Sequence, residues 1–567
     1  MESKVEKLEK LENCKSDEGT LSQSEERLCR SIIKGLARRN HERHTMLADV
    51  EEEQEQDVIC FDDITGKELP WHAVRKAREL ELKYLRDLGV YEKVDEKEAV
   101  EKYGVTPVDT KWVDTDKAFE GEPMQIRSRM CAREFKSDDR PDLYAGTPPL
   151  EALKAIISIA ANHKETFSIM HIDVSRAYFH GKAQRPVLIR LPAEDRMGTD
   201  AGKIGLMKKS MYGTRDAASN WERDWQEHVK KWGFQLGLSS KNLFHHKENR
   251  VSGLTHGDDF VLTGPTKRLT EFENEMTSVY PIKAKIISLG SPKSIKTLNR
   301  RLHWGKEGIV YQHDPRHIDV LVKDLGLENG NSVQTPATPE VTEEEKPEPL
   351  SQVQHHKYRS QVARCLFCSQ DRADITFIVN ELCQRMSNPT QQSLVKLKRL
   401  ARYLKRERQW GQVFKYGKTV EEVTTFTSSS AGVVMLGEHA LKAYTRKQKV
   451  IARSSAEAEL YAAALGASES KGIVSLLGDL GYEKKPVLAI DTKATEHILH
   501  RQGIGKLKHI DVAYLWIQDE VRSHRLRVPR VRSEDNVADL GTKPLSKAVI
   551  AKHCLALGYV NMNQENV

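Results

Sequence analysis

Two adjacent acids set between apolar, strand-forming runs constrain this chain more than any other feature. The segment Leu254-Thr255-His256-Gly257-Asp258-Asp259-Phe260-Val261-Leu262 reads as a β-hairpin with two carboxylates at its tip. Like charges held side by side repel unless a divalent ion neutralises them. An Asp-Asp pair alone is most simply a solvated turn. A second apolar run, His171-Ile172-Asp173-Val174, repeats the anomaly far upstream, and a carboxylate in such a stretch is costly to bury unless it meets cations or metal. If the two strands are neighbours, Asp173 and Asp258 are placed to share two Mg²⁺ ions about 4 Å apart, the arrangement that serves in-line phosphoryl transfer.

These acids sit in a chain of 567 residues, long enough for roughly two to four domains. Hydrophobic residues make up 38% and charged residues 30%, a balance that predicts folded domains with charged flanks and excludes a wholly disordered chain. The formal charge of +7 permits a polyphosphate partner without requiring one. Residues 1–10 alternate acid and base, unlike a signal peptide, and the most apolar stretch, near 155–161, falls far short of a bilayer span. A soluble, intracellular protein with no membrane partner is expected. The eight cysteines are scattered, so free thiols are the expectation. Cys365 and Cys368 form a C-x-x-C without a second ligand pair, and read as one buried face of a helix.

Along the chain, residues 1–60 are dense in Glu, Lys and Arg and read as a charged, disordered leader. Residues 61–333 alternate β-rich and helical segments, and 334–357 have linker composition. Residues 358–409 read as helices broken at Asn388-Pro389-Thr390, with Thr390 placed to cap the second, and 410–560 as a further α/β unit. The fold class is therefore α+β and multidomain.

Four segments in order resemble the reverse transcriptase of copia-class retrotransposon Pol polyproteins. Ile126-Arg-Ser-Arg-Met-Cys-Ala-Arg-Glu-Phe135 is similar to the family's fingers motif Tyr-Lys-Ala-Arg-Leu-Val-Ala-Lys-Gly-Phe. Asp173-Val-Ser-Arg-Ala-Tyr-Phe-His-Gly181 is similar to Asp-Val-Lys-Thr-Ala-Phe-Leu-Asn-Gly, and Lys208-Lys-Ser-Met-Tyr-Gly-Thr-Arg215 to Lys-Lys-Ser-Leu-Tyr-Gly-Leu-Lys. His256-Gly-Asp-Asp259 stands where the family has Tyr-Val-Asp-Asp, and departs from its aromatic and aliphatic residues. Further on, Arg372-Ala-Asp-Ile375 resembles Arg-Pro-Asp-Ile, and Leu397-Lys-Arg-Leu-Ala-Arg-Tyr-Leu404 resembles a basic helix of the family that is as readily a solvated face as a tracker of duplex backbone.

The resemblance implies fingers and palm over 61–333, a helical thumb or connection over 358–409, and RNA-directed DNA polymerase activity. Asp173 and Asp258 would be the principal metal ligands, with Asp259 beside them, holding two Mg²⁺ with Mn²⁺ as a substitute. Tyr178 would lie under the incoming sugar and exclude a 2′-hydroxyl. Arg129 and Arg133, four apart on a fingers strand, would meet the triphosphate, and Tyr212 and Gly213 the nascent base pair. The partners implied are an RNA template, a DNA primer, RNA–DNA hybrid and deoxynucleoside triphosphates, in a cytoplasmic particle or the nucleus.

Three later acids, Glu459 in Ser454-Ser-Ala-Glu-Ala-Glu459, Asp491 in Leu488-Ala-Ile-Asp491 and Asp539 in Asn536-Val-Ala-Asp539, resemble the metal ligands of the same family's ribonuclease H. Glu457 is the weaker candidate. The family's opening motif, Tyr-Ser-Asp-Ala-Asp-Trp-Ala-Gly, is represented by Thr425-Phe-Thr-Ser-Ser-Ser-Ala-Gly432. Aligned on Ala431-Gly432, Thr427 takes the first Asp position and Ser429 the second. The resemblance thus implies a ribonuclease H-like domain impaired by Thr427, with that residue at the edge of the acidic pocket. The alternative is a decayed or domesticated nucleic-acid-binding protein without catalysis, for which Thr427 and His256-Gly257 speak. The near-phosphate-loop at 411–419 has five residues between its glycines where four are needed, and 41–44 falls short of a zinc protease motif.

Overall fold

A computed structural model describes residues 59–567 apart from 119–122, 136–142, 144, 292–293, 340–347, 430, 449, 506 and 563–567. The expected leader lies outside the described residues except at its last two positions. Two compact units divide the chain, one from residues up to 144 and 178–222, the other from 145–177 and 223–567.

In the first unit the strands Thr110–Asp116 and Ile126–Ala132 form an antiparallel hairpin, and the helix Trp71–Asp87 covers it. Alternation along Ile126–Ala132 buries Ser128, Met130 and Ala132 and turns Arg127, Arg129 and Cys131 to the other face. Met130 joins Leu82, Leu85, Phe179, Ile189 and Met211 in one core. Arg78 ties helix to hairpin through Asp114 at 2.6 Å.

The second unit is organised on a six-stranded antiparallel sheet ordered Ile282–Ile287, Phe167–Val174, Asp259–Pro265, Val251–His256, Leu243–His246, Gln235–Leu236. The helix Leu150–Asn162 packs on one face through Ile156, Ile157 and Ala160, against Phe167, Ile169, Leu254 and Val261. On the other face Trp225 meets Phe260 edge-on at 5.6 Å and Phe234 meets Phe272 at 5.2 Å. Cover on both faces is why these strands read as continuous apolar runs.

A five-stranded sheet joins Ser294–Thr297, Arg300–Trp304, Gly308–Gln312, Trp410–Lys415 and Tyr559–Asn561. It knits together segments that the sequence places in separate parts, because its strand pairings run over long range and the end of the linker-like stretch already belongs to the helix Gln352–Ser369. The core that starts at Ile156 continues through Leu302 and Ile309 into Val434, Ile473 and Leu477. The later α/β part therefore shares its interior with the six-stranded sheet.

The helices Arg316–Asp324, Gln352–Ser369, Thr376–Gln384 and Gln391–Arg406 form a second core around Tyr358, Val362, Leu397 and Leu400. Thr390 caps the last of them, accepting from Ser393 N–H. Cys365 and Cys368 are free and buried. The Arg372–Asp374 pair, 2.7 Å apart with side chains 1% and 0% exposed, takes a further 2.7 Å bond from Tyr403 Oη, so the Arg-Ala-Asp-Ile segment works as a buried strut. The helix Gln391–Arg406 uses Arg399 to reach Thr335 Oγ1 at 2.8 Å and Lys405 to reach the carbonyls of Leu327 and Gly330; these two cations hold a loop.

The last part carries the sheet His439–Thr445, Ala431–Leu436, Glu422–Ser428, Lys485–Ala489. Glu422–Ser428 runs parallel to Lys485–Ala489, and such a pair needs a crossover. Its crossover includes the helix Ser455–Asp479, whose first turn Ser454 caps.

Candidate functional sites: two sets of carboxylates

Strand register brings the palm acids together. Asp173 lies directly opposite Asp259, Lys283 lies opposite Asp173 on its other side, and His256 opposite Asp259. Directly paired residues share a face with neighbouring Cβ atoms about 5 Å apart, so one row reads Lys283, Asp173, Asp259, His256. Asp258 is in the two-residue turn Gly257-Asp258, where Gly257 has φ +67° with open space around it; the backbone conformation, not crowding, calls for glycine. Val174 N–H donates to the Asp258 carbonyl at 3.0 Å. The residue across from Asp173 in register is thus Asp259, with Asp258 next to it in the turn. His171, two residues before Asp173 and on the same face, places Nε2 2.9 Å from Asp259 Oδ1.

The donors in this row are hard oxygens, which suits Mg²⁺ in kind. Among the described residues no group of three or more His, Cys, Asp or Glu side chains closes into a metal cluster. Mg²⁺ commonly sits on one or two carboxylates and completes its octahedron with water and substrate phosphates.

In the first unit, Arg129, Tyr178, Tyr212 and Gly213 come together. The Arg129 guanidinium stands 5.2 Å over the Tyr212 ring, and Tyr178 meets that ring edge-on at 5.4 Å. Arg129 Nε is buried without a hydrogen-bond partner. Ala132 N–H donates to the Tyr212 carbonyl at 2.7 Å, and Gly213, at φ +84°, has room for no Cβ, which would fall 2.0 Å from the Ala132 oxygen. Arg133 lies beyond the end of the strand, exposed, with Phe135 for a neighbour at 5.8 Å.

The second set of carboxylates lines one end of the four-stranded sheet. Glu459 Oε1 accepts from Ser429 N–H at 3.1 Å and Ser429 Oγ at 3.0 Å. Burial raises the Glu459 pKa, the Ser429 bonds oppose this, and the charges of Asp491 and Asp539 add to the rise. Asn536, fully buried, donates to Asp491 Oδ2 at 3.2 Å and to the Thr427 carbonyl at 2.9 Å. Lys543 pairs with Asp539 at 2.8 Å. Gln448 Nε2 donates to the Ala458 carbonyl at 2.7 Å and also to that of Ser429.

Thr427 is not at the edge of this pocket. It is 1% exposed, its Oγ1 has no partner, and its Cγ2 lies where a Cβ on Gly466 would fall. The crossing helix meets Thr427 at Gly466, two turns in from Glu459, while Ser429, in the turn just past the strand end at φ +39°, reaches the acid. Glu457 is held elsewhere, by Tyr461 Oη at 2.7 Å and His509 Nε2 at 2.9 Å, and those bonds lower its pKa to about 2.

The sequence reading missed His171, Lys283, Asn536 and Gln448. Strand periodicity alone pointed to His171. Lys283 and Lys285 alternate with apolar residues in Ile282–Ile287, a signal of a strand with a basic face whose partner was not readable.

Residues 95–339, which include the paired strands that carry Asp173 and Asp259, match the family described as reverse transcriptase (RNA-dependent DNA polymerase). Over most of its length the chain is similar to copia-class retrotransposon Pol polyproteins. The retrovirus-related Pol polyprotein from transposon RE1 of Arabidopsis thaliana is 26% identical over 483 residues, covering 80% of this chain and 32% of that protein. The corresponding polyprotein from transposon TNT 1-94 of Nicotiana tabacum is 21% identical, covering 85% and 38%. The chain thus spans about a third of the length of these relatives. A solved foamy viral protease-reverse transcriptase in complex with RNA/DNA hybrid has a TM-score of 0.46 and 10% identity, over 93% of this chain and 63% of that one. Among the described residues no helix is long and apolar enough to cross a membrane.

Proposed function

We propose that this chain is the RNA-directed DNA polymerase of a copia-class retrotransposon, extending a DNA primer on an RNA template with deoxynucleoside triphosphates, in a cytoplasmic particle or the nucleus. The observation that carries the reading is the register that sets Asp173 across from Asp259 beside the Gly257-Asp258 turn. Asp173, Asp258 and Asp259 would hold Mg²⁺, two ions per site, or Mn²⁺ in its place. Bound there, a divalent cation acidifies the primer 3′-hydroxyl and neutralises the leaving pyrophosphate. The chain's own groups act by position and charge. His171 orients Asp259, and Lys283, across from Asp173 in register, gives it a basic neighbour. In the other unit, Arg129 offers its unpartnered Nε–H to a phosphate oxygen, Tyr178 is the ring that rejects a 2′-hydroxyl, and Tyr212 and Gly213 take the base pair.

For the ribonuclease H-like part the reading is binding of RNA–DNA hybrid with little or no cleavage, since Ser429 offers Glu459 a hydroxyl where a further carboxylate would be needed for two metals. Primer extension on an RNA template with Mg²⁺ tests the whole. Asp259→Asn should reduce extension at least about 100-fold while template affinity stays within about twofold. Unchanged extension would end the polymerase reading.

A further inference from the structure

A cleft at the far end of the six-stranded sheet carries cations that none of the chemistry above uses. Its walls are the hairpin of Leu243–His246 and Val251–His256 with the turn between them, and the C-terminal end of the helix Ser455–Asp479 with the segment after it; it encloses about 390 Å³. That is the scale of a site for a nucleotide-sized ligand. The six residues of Val251–His256 separate Arg250 from the Gly257-Asp258 turn by about 20 Å. Twenty residues of helix separate Asp479 from Glu459 by about 30 Å. The cleft is therefore remote from both sets of carboxylates.

The turn presents Lys247 and Arg250, both exposed and neither with a carboxylate in ion-pair reach among the described residues. Arg250 is held 5.0 Å over the Phe167 ring, which orders the guanidinium without neutralising it. His245 donates from Nδ1 to the Asp479 carbonyl at 3.1 Å. Asp479, at the end of the helix, turns its carboxylate to the 238–240 loop, accepting from Leu238 N–H at 2.7 Å, Ser239 N–H at 3.0 Å, Ser240 N–H at 2.9 Å, and the Ser239 hydroxyl. Glu483 is the one acid among the lining residues. Across from the cations, Tyr482 supplies a half-buried ring. A fork of donors and an ammonium facing an aromatic surface is a receptor for phosphate attached to a flat, apolar group.

We propose that this cleft binds the phosphates of a nucleotide, either free or as a link in a single strand. The experiment uses the full chain carrying Asp173→Asn and Asp259→Asn, in EDTA, so that metal-dependent nucleotide binding at the palm is silent. Calorimetry with dATP and photo-crosslinking with a short 4-thiothymidine oligonucleotide then read the cleft. We expect dATP binding, or crosslinks mapping to 235–252 or 478–483, that Lys247→Glu with Arg250→Glu weakens about tenfold or more. Glu483→Gln should strengthen it about twofold. These side chains are exposed, so the melting temperature should stay put and serves as the folding control. Binding of dATP assigns a free nucleotide; crosslinks that dATP does not displace assign a strand. The proposal is overturned if neither probe engages the cleft at about 1 mM, or if charge reversal changes neither signal by more than twofold.

Discussion

At the tip of the six-stranded sheet, Asp173 and Asp259 have Lys283, His256 and His171 within two strand positions. At the end of the four-stranded sheet, Glu459, Asp491 and Asp539 have a hydroxyl, an amide and the Lys543 ammonium around them. The first set is seated by strand pairing and flanked by basic residues on adjacent strands, whereas the second gathers acids from a helix, a strand end and a 3-10 turn and leaves Glu459 with a pKa raised by burial and by its acidic neighbours. The difference teaches that acids alone do not define a metal-dependent site. What surrounds them decides whether the charge is useful or only costly.

The same substitution in both places gives the largest contrast. Asp173→Asn should abolish primer extension, by about 100-fold or more, whereas Asp491→Asn should leave hybrid cleavage at the low level of the unaltered chain. Strong cleavage that Asp491→Asn removes would break the comparison by making the second site a working nuclease.

Next in size is an attempted repair. Thr427→Asp would bury an unpaired carboxylate against Gly466 and should destabilise the fold by about 3–5 kcal/mol without creating cleavage. Ser429→Asp, beside Glu459, should be tolerated and is the change able to raise divalent-ion affinity. Denaturant melts and Mn²⁺ titration of the two variants check this; cleavage gained by Thr427→Asp would return the first position to 427.

The smallest effects lie two residues apart on one helix. Glu457, with its pKa lowered to about 2 by Tyr461 and His509, contributes stability that is present above the ordinary glutamate range and lost as pH falls toward 2. Glu459, with its pKa raised, binds a proton more tightly folded than unfolded, so its contribution to stability falls as pH rises from the ordinary glutamate range through the raised value. At pH 7, Glu459→Gln should raise the melting temperature by about 1–3 °C and Glu457→Gln should lower it. Shifts of the same sign would remove the distinction between the two acids.

Much of this was legible from local pattern. The acidic hairpin, the Thr390 cap and the buried C-x-x-C follow from residues near one another in the chain. Register was not: that Asp259 faces Asp173, or that Lys283 completes the row, depends on pairings across scores of residues. Thr427 was misplaced for a related reason. An ungapped motif comparison assigns a position but not the depth at which a crossing helix meets the strand, and Gly466 had no reason to be noticed. The strand Tyr559–Asn561 was invisible as the edge of a sheet begun near residue 294.

The interior shared by Ile156, Leu302, Val434 and Leu477 sets what drift the chain can tolerate. The acids Glu459, Asp491 and Asp539 can be erased one at a time at little cost to the polymerase, but the scaffold that displays them cannot be shed, because deleting it strips the back of the palm helix. Copies of such an element would accumulate changes at the second site's surface while holding its hydrophobic positions constant, and a frameshift beyond Asp539 would strip the edge strand Tyr559–Asn561 from the sheet that begins at Ser294.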